Sequence, residues 1–189
     1  MLMYEIRVRI PSDKIFRKKM HEKNGEKIRS FKFKDTYFVP KNLTSDWKNG
    51  IFTMRLRNEE GRSSLYFTRY EIIELEGFTL IQNSNGQKIP VLIDQSHKAV
   101  HDFLSAIDFK EVFSIERTLG EVWKIKIDRT QDLELTFEHI VNLGHTSEIE
   151  LKEEEIKNSY RMQFIKELLN ELGAACFTKS LFGVYMETI

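Results

Sequence analysis

Apolar and charged residues alternate along much of this chain. Residues 3–10 set Tyr4, Ile6, Val8 and Ile10 against Glu5, Arg7 and Arg9. The same period of two returns with Met54 and Leu56 against Arg55 and Arg57, and over 121–127 with Val122, Lys124 and Lys126 against Trp123, Ile125 and Ile127. Over 133–138, Leu133, Leu135 and Phe137 alternate with Glu134, Thr136 and Glu138; over 147–151, Ile149 and Leu151 alternate with Glu148 and Glu150. That period predicts strands with one apolar and one charged face. Further strands are predicted over 30–39, 64–76, 79–83, 88–92 and 111–118, with turn signals at Asn24-Gly25, Asn49-Gly50 and Asn85-Gly86. Helical patterns are fewer. Ser12 caps a predicted helix over 13–23, and Ser96 caps one over 97–107, where Val100, Phe103, Leu104 and Ile107 share a face. A third helix is predicted over 153–172, opening on Glu153-Glu154-Glu155 and stopping at Gly173. The pattern reads as α+β with a dominant, mostly antiparallel sheet.

Composition narrows the class. The 189 residues carry 29 Lys plus Arg and 29 Asp plus Glu, so there is no basic excess of the kind a non-specific nucleic-acid binder shows. Three prolines and no low-complexity tract leave no linker, which predicts a single domain over 1–189. The one cysteine, Cys176, excludes an intrachain disulfide and fits a reducing cytoplasm; it reads as a small core residue. No apolar run approaches the roughly 18–20 residues of a membrane helix, and the opening MLMYEIRVRI is not a signal peptide. A cytoplasmic protein that engages neither membrane nor nucleic acid is the expectation.

Alternation alone does not say which way the charged face points. A charged sheet face commonly meets solvent, but the same pattern serves a barrel whose lumen is charged and whose apolar face lies under helices. The identity of the charges separates the two readings in part. Arg7, Arg9, Arg55, Arg57, Arg69 and Arg117 concentrate in some strands, whereas Glu138, Glu148 and Glu150 mark others. Arginine forks match phosphate oxygens, and clustered carboxylates are hard ligands for Mg²⁺ or Mn²⁺. Together they are the two halves of a metal–polyphosphate site.

The ordered motifs resemble the CYTH family, of the triphosphate tunnel metalloenzyme fold, which includes class IV adenylate cyclases, thiamine triphosphatases and inorganic triphosphatases. The family opens on Glu-x-Glu-x-Lys; here YEIRVRI supplies Glu5, Arg7 and Arg9. KDTYFV supplies the Asp-x-Tyr strand with Asp35 and Tyr37, MRLR supplies Arg55 and Arg57, and SLYFTRYE offers Arg69. FSIERTL matches the later basic strand with Arg117 and has Leu119 at its second basic position. FEHIVNLGHTSEIEL supplies Glu138, Leu143-Gly144, Glu148 and Glu150, and Thr178-Lys179-Ser180-Leu181 is a C-terminal echo.

The resemblance implies an antiparallel, closed or nearly closed β-barrel tunnel of about eight strands, with a charged lumen and a few helices packed outside. It implies a metal-dependent enzyme that takes ATP to cyclic AMP and pyrophosphate, or a triphosphate phosphohydrolase. The substrate would be a nucleoside triphosphate, thiamine triphosphate or inorganic polyphosphate. Arg9, Arg55, Arg57, Arg69, Arg117 and Lys124 are the implied triphosphate clamp, with Lys126 a second candidate from the same strand as Lys124. Glu5, Glu138, Glu148 and Glu150 are the implied ligands of Mg²⁺ or Mn²⁺. Room is left for a homodimer. Two departures bear on this. Arg7 puts a cation where a metal-linked Glu is expected, which opens the alternative of a catalytically impaired nucleotide or polyphosphate binder. Leu119 removes one phosphate contact. Outside these motifs, His97 and His101 read as surface histidines, Trp47 and Trp123 as packing residues, and Arg17, Lys18, Lys19 and Lys23 as a solvated helix face.

Overall fold

The computed structural model describes residues 3–59, 61–75, 77–83, 89–93 and 95–187. Among them the chain runs β1 (Met3–Arg9), α1 (Asp13–Glu22), β2 (Glu26–Pro40), α2 (Ser45–Lys48), β3 (Phe52–Glu59), β4 (Arg62–Leu75), β5 (Phe78–Asn83) and β6 (Ile89–Leu92). It continues through α3 (His97–Ala106), β7 (Phe109–Lys126), β8 (Asp132–Ile140), β9 (Gly144–Lys152), α4 (Glu153–Ile156), α5 (Ser159–Glu171), β10 (Ala175–Cys176) and α6 (Leu181–Met186). Eight strands close into one antiparallel barrel in the order β1-β5-β4-β3-β2-β7-β8-β9, with β9 returning to β1. The two remaining strands are short additions: β6 pairs with β4, and β10 pairs with the end of β1. Closure gives every barrel strand two partners and removes the unpaired edges of an open sheet.

The apolar face points outward, under helices. Ile6 and Val8 of β1, Leu133, Leu135 and Phe137 of β8, and Ile149 and Leu151 of β9 form one cluster with Phe16 and Met20 of α1 and Met162, Ile165 and Leu168 of α5. Phe16 stacks on Phe137 with ring centroids 4.1 Å apart. A second cluster packs Leu56 and Leu65 with Trp47, Val100 and Leu104. Burying these faces is the dominant favourable term for a sheet of this pattern. With the apolar side so used, the charged side lines the lumen, which decides between the two readings of the alternation.

Most element boundaries follow local chemistry. The Ser12 hydroxyl accepts from Ile15 N at 3.4 Å and that of Ser96 from Ala99 N at 3.2 Å, so both predicted caps form. The predicted helix over 153–172 is two helices. Asn158 accepts from Arg161 N at 3.1 Å and starts α5 afresh, because an Asn side chain competes for the backbone N–H groups that would carry a helix through it. The second helix ends at Leu172, and Gly173 takes the left-handed conformation at φ +62° that a helix terminus of this type needs.

The predicted strands over 111–118 and 121–127 are one strand, β7. Asn24-Gly25 and Asn49-Gly50 lie between a helix and the next strand, not in hairpins, and Asn85-Gly86 falls outside the described residues. The elements α2, β10 and α6 are too short to carry a periodic signal. Among the described residues no helix is long and apolar enough to cross a membrane. Cys176 is exposed, not a core residue: it sits on β10, whose two residues both face solvent.

Candidate functional site

Cross-strand register brings the charged positions together. β1 places Glu5 opposite Glu150 and Arg7 opposite Glu148 on β9. β9 in turn places Thr146 opposite Glu138 on β8, and β2 places Asp35 opposite Arg57 on β3. Directly opposed residues share a face, so these side chains converge in the lumen. Glu5, Arg7, Arg57, Glu138, Glu148 and Glu150 line a cavity of about 670 Å³, together with Tyr37, Arg55, Tyr70 and Arg117.

Two linked ion-pair networks fill its depth. In the first, the Arg7 guanidinium serves three carboxylates. Its Nε donates to Glu5 Oε1 at 2.8 Å, its Nη1 to Glu138 Oε2 at 3.3 Å, and its Nη2 to Glu148. Arg7 is 6% exposed. In the second, Asp35, fully buried, accepts from three arginines. Arg57 grips it with both Nε and Nη2, at 2.9 and 3.0 Å, while Arg117 Nη1 lies at 3.1 Å and Arg55 Nη1 at 3.3 Å. Arg117 joins the networks, since its Nε donates to Glu138 Oε1 at 3.0 Å. Phe33 lies beneath the arginines, with the Arg57 and Arg117 guanidinium carbons 3.6 and 4.5 Å from its ring centroid.

The electrostatics follow from this packing. Burial alone would raise the Asp35 carboxyl, but Arg55, Arg57 and Arg117 outweigh it and hold the group well below the usual carboxylate range. Burial and the guanidinium groups oppose each other at Glu138 too, where Arg117 and Arg7 keep the carboxylate ionised. The Tyr70 hydroxyl is pushed up to about 12 by burial, against the pull of Arg55. Two arginines of the cavity lining, Arg161 at Nε and Arg55 at Nη2, hold a buried nitrogen without a hydrogen-bond partner among the described residues, and Arg55 is the one beside Asp35. Arg55 as a whole is 7% exposed.

The structure gathers Arg55, Arg57, Arg117, Lys124, Glu5, Glu138, Glu148 and Glu150 around this cavity. Lys124, at its edge, is paired to Asp132 at 2.8 Å, whereas Lys126 lies outside the lining. Two expected clamp residues lie elsewhere. Arg9 ends β1 beyond the cavity, exposed, with its guanidinium 5.8 Å from the Phe177 ring. Arg69 is on the outer face of β4, opposite Phe52 in register, while its neighbour Tyr70 faces the lumen. Leu119 is not a lumen residue either. A β-bulge between Arg117 and Leu119 reverses the face, so Leu119 packs outward against the α1 cluster and Gly120 takes the inward position opposite Glu138. The Phe31 ring covers Gly120 so closely that a Cβ there would sit 2.1 Å from a ring carbon.

Asp35 is the hub that the predicted clamp left out. Its motif was visible, but the pattern around it is inverted: on β2 the aromatic Phe31 and Phe33 line the cavity, and Lys32 and Lys34 face solvent. Outside the cavity, His101 bonds Glu111 at 2.9 Å on the exposed side of α3, and Trp47 packs with Phe52 and Phe109. The basic stretch of α1 is less solvated than expected, because Arg17 pairs with Glu121 of β7, and Lys19 and Lys23 pair with Glu171 of α5.

The four carboxylates expected to hold a metal do not fit one as they are arranged. Glu5, Glu138 and Glu148 each hold the Arg7 guanidinium, and no group of three His, Cys, Asp or Glu among the described residues is disposed around a common ion position.

No protein-family model matches the sequence, and no curated protein does. Solved structures match closely in shape. The PH1819 protein from Pyrococcus horikoshii OT3 is 18% identical, with 99% of each chain covered and a TM-score of 0.65. A proposed adenylate cyclase from Vibrio parahaemolyticus is 10% identical over 100% of this chain and 99% of its own, with a TM-score of 0.63. A proposed adenylyl cyclase from Hippeastrum, with a dominant triphosphatase activity, is 13% identical over 98% of this chain and 96% of its own, also at 0.63. Identities this low speak to fold, and the fold they share with this chain is the closed tunnel barrel that its ordered motifs resemble.

Proposed function

We propose that this chain binds the phosphate chain of a triphosphate in its lumen and acts on it as an enzyme of the adenylate cyclase or triphosphatase kind. The observation that carries the reading is Arg55 Nη2, a buried guanidinium donor without an acceptor, in a cavity that also presents Arg57 and Arg117. A buried charged donor left unpaired is costly, and a phosphate oxygen is the acceptor that an arginine fork matches best. The triphosphatase activity of the Hippeastrum protein, and the cyclase activity proposed for the Vibrio protein, lend support at the level of reaction class. Candidate substrates are a nucleoside triphosphate such as ATP, thiamine triphosphate and inorganic polyphosphate. Dependence on Mg²⁺ or Mn²⁺ is what the family resemblance implies, whereas three of the four candidate carboxylates, Glu5, Glu138 and Glu148, are held by Arg7.

The test is ³¹P NMR of the protein with ATP and with tripolyphosphate, with and without Mg²⁺. Pyrophosphate together with cyclic AMP identifies a cyclase, and orthophosphate a triphosphatase. Unchanged spectra overturn the proposal. A second reading, binding without turnover, is favoured by one observation, the three carboxylates held by Arg7. Resonances that broaden without new products would select it.

A further inference from the structure

We infer that Arg7 is a resident cation: its guanidinium occupies the place among Glu5, Glu138 and Glu148 that a divalent ion takes in a carboxylate site, and the tunnel engages a phosphate chain without recruiting one. The inference deepens the triphosphate reading and rests on it for the identity of the anion.

The geometry carries it in three steps. First, the carboxylates come from β1, β8 and β9, and each receives a different nitrogen of the same guanidinium. A planar fork spreads its donors in fixed directions, so three carboxylates around it are held at the spacing of the fork and not at that of a small ion. Second, Arg7 lies directly opposite Glu148 in the β1–β9 register, so the pairing is built into the closure of the barrel. An ion entering this position would have to displace a buried guanidinium from three carboxylates at once, and the two cations would repel. Third, with Glu5, Glu138 and Glu148 tied to Arg7, the arginines of the Asp35 network still line the cavity, and Arg55 Nη2 has no partner there among the described residues. The anion can then be met by Arg55, Arg57 and Arg117, while Arg7 offsets part of the charge of the three carboxylates nearest it.

The experiment uses the full chain. Tripolyphosphate binding is measured by calorimetry in EDTA and again in Mg²⁺, and Mn²⁺ binding is measured separately by electron paramagnetic resonance with the metal alone. Wild type should bind tripolyphosphate equally in both buffers and should take up no Mn²⁺. Arg7→Gln removes the charge and frees the carboxylates, so it should take up Mn²⁺ at least about tenfold more tightly than wild type. Tripolyphosphate binding that appears only with Mg²⁺, or Mn²⁺ uptake by wild type equal to that of the variant, overturns the inference. So does a folded Arg7→Gln that ignores Mn²⁺. The two wild-type measurements stand even if Arg7→Gln fails to fold. A wild type that ignores tripolyphosphate in both buffers sinks the triphosphate reading and with it the anion part of this inference, whereas Mn²⁺ uptake confined to the variant still identifies Arg7 as the resident cation.

Discussion

Arg55 meets Asp35 with one amino group only: Nη1 lies 3.3 Å from Asp35 Oδ2, while the buried Nη2 has no partner among the described residues. The pair therefore anchors the guanidinium without saturating it. Arg55→Gln should leave the barrel intact, because Arg57 and Arg117 still hold Asp35. It should weaken tripolyphosphate binding by about 1.5–3 kcal/mol, the range for a hydrogen bond to a charged group. Calorimetric titration checks this, and a variant that binds as tightly as wild type removes Arg55 from the site.

Asp35 has the opposite role. Its one negative charge is shared by three arginines and so competes with any anion that enters. Asp35→Asn should cost about 3–5 kcal/mol of stability, since it strands buried positive charge. The same variant should regain melting temperature when tripolyphosphate is added, and by more than wild type does. Thermal melts with and without the anion measure both effects; a variant stabilised no more than wild type contradicts the competition.

Acid should loosen the lumen in a defined direction. Asp35 and Glu138 both have carboxyl groups held below their ordinary values of 3.8 and 4.5, because the arginines around them outweigh burial. A depressed folded-state value stabilises the protein above the ordinary one and loses that contribution as pH falls toward the folded one. Stability should thus decline from about pH 4.5 downward. Urea unfolding at stepped pH would follow the decline, and Asp35→Asn should flatten it.

Gly120 is fixed by a neighbour and not by its backbone angle. A Cβ at this position would sit 2.1–2.5 Å from three carbons of the Phe31 ring. Gly120→Ala should destabilise by about 1–3 kcal/mol through overpacking, and Phe31→Ala in the same chain should relieve the clash. Strict additivity in a double-mutant cycle by urea unfolding would show that the two positions do not interact.

Much of the barrel was readable because alternation is a local property. Ile6 against Arg7 and Phe137 against Glu138 announce both strand and face, and the arginines of MRLR fall inside as their period requires. What escaped depends on offsets of one residue. Arg69 and Tyr70 are adjacent, and only the register of β4 against β3 decides which of them enters the lumen. Leu119 is turned outward by a bulge that leaves no mark on the residue pattern. The partners of Arg7 were beyond reach for another reason. Its identity announces a departure from the motif, but that it gathers Glu5, Glu138 and Glu148 depends on strands brought together by the closed sheet.

That closure also sets a timetable. Met3 of β1 pairs with Lys152 of β9, and along that edge all of β1 waits for the same partner, since β5 covers only Met3–Glu5 of the other edge. At ribosomal rates of about 5–20 residues per second, β1 leaves the tunnel of the ribosome many seconds before β9 exists. Through that interval the strand bearing Arg7 is an uncovered template, and pairing over so long a loop is slow to form. The newborn chain thus passes through a window in which self-association competes with folding, and the window shuts only when β9 arrives.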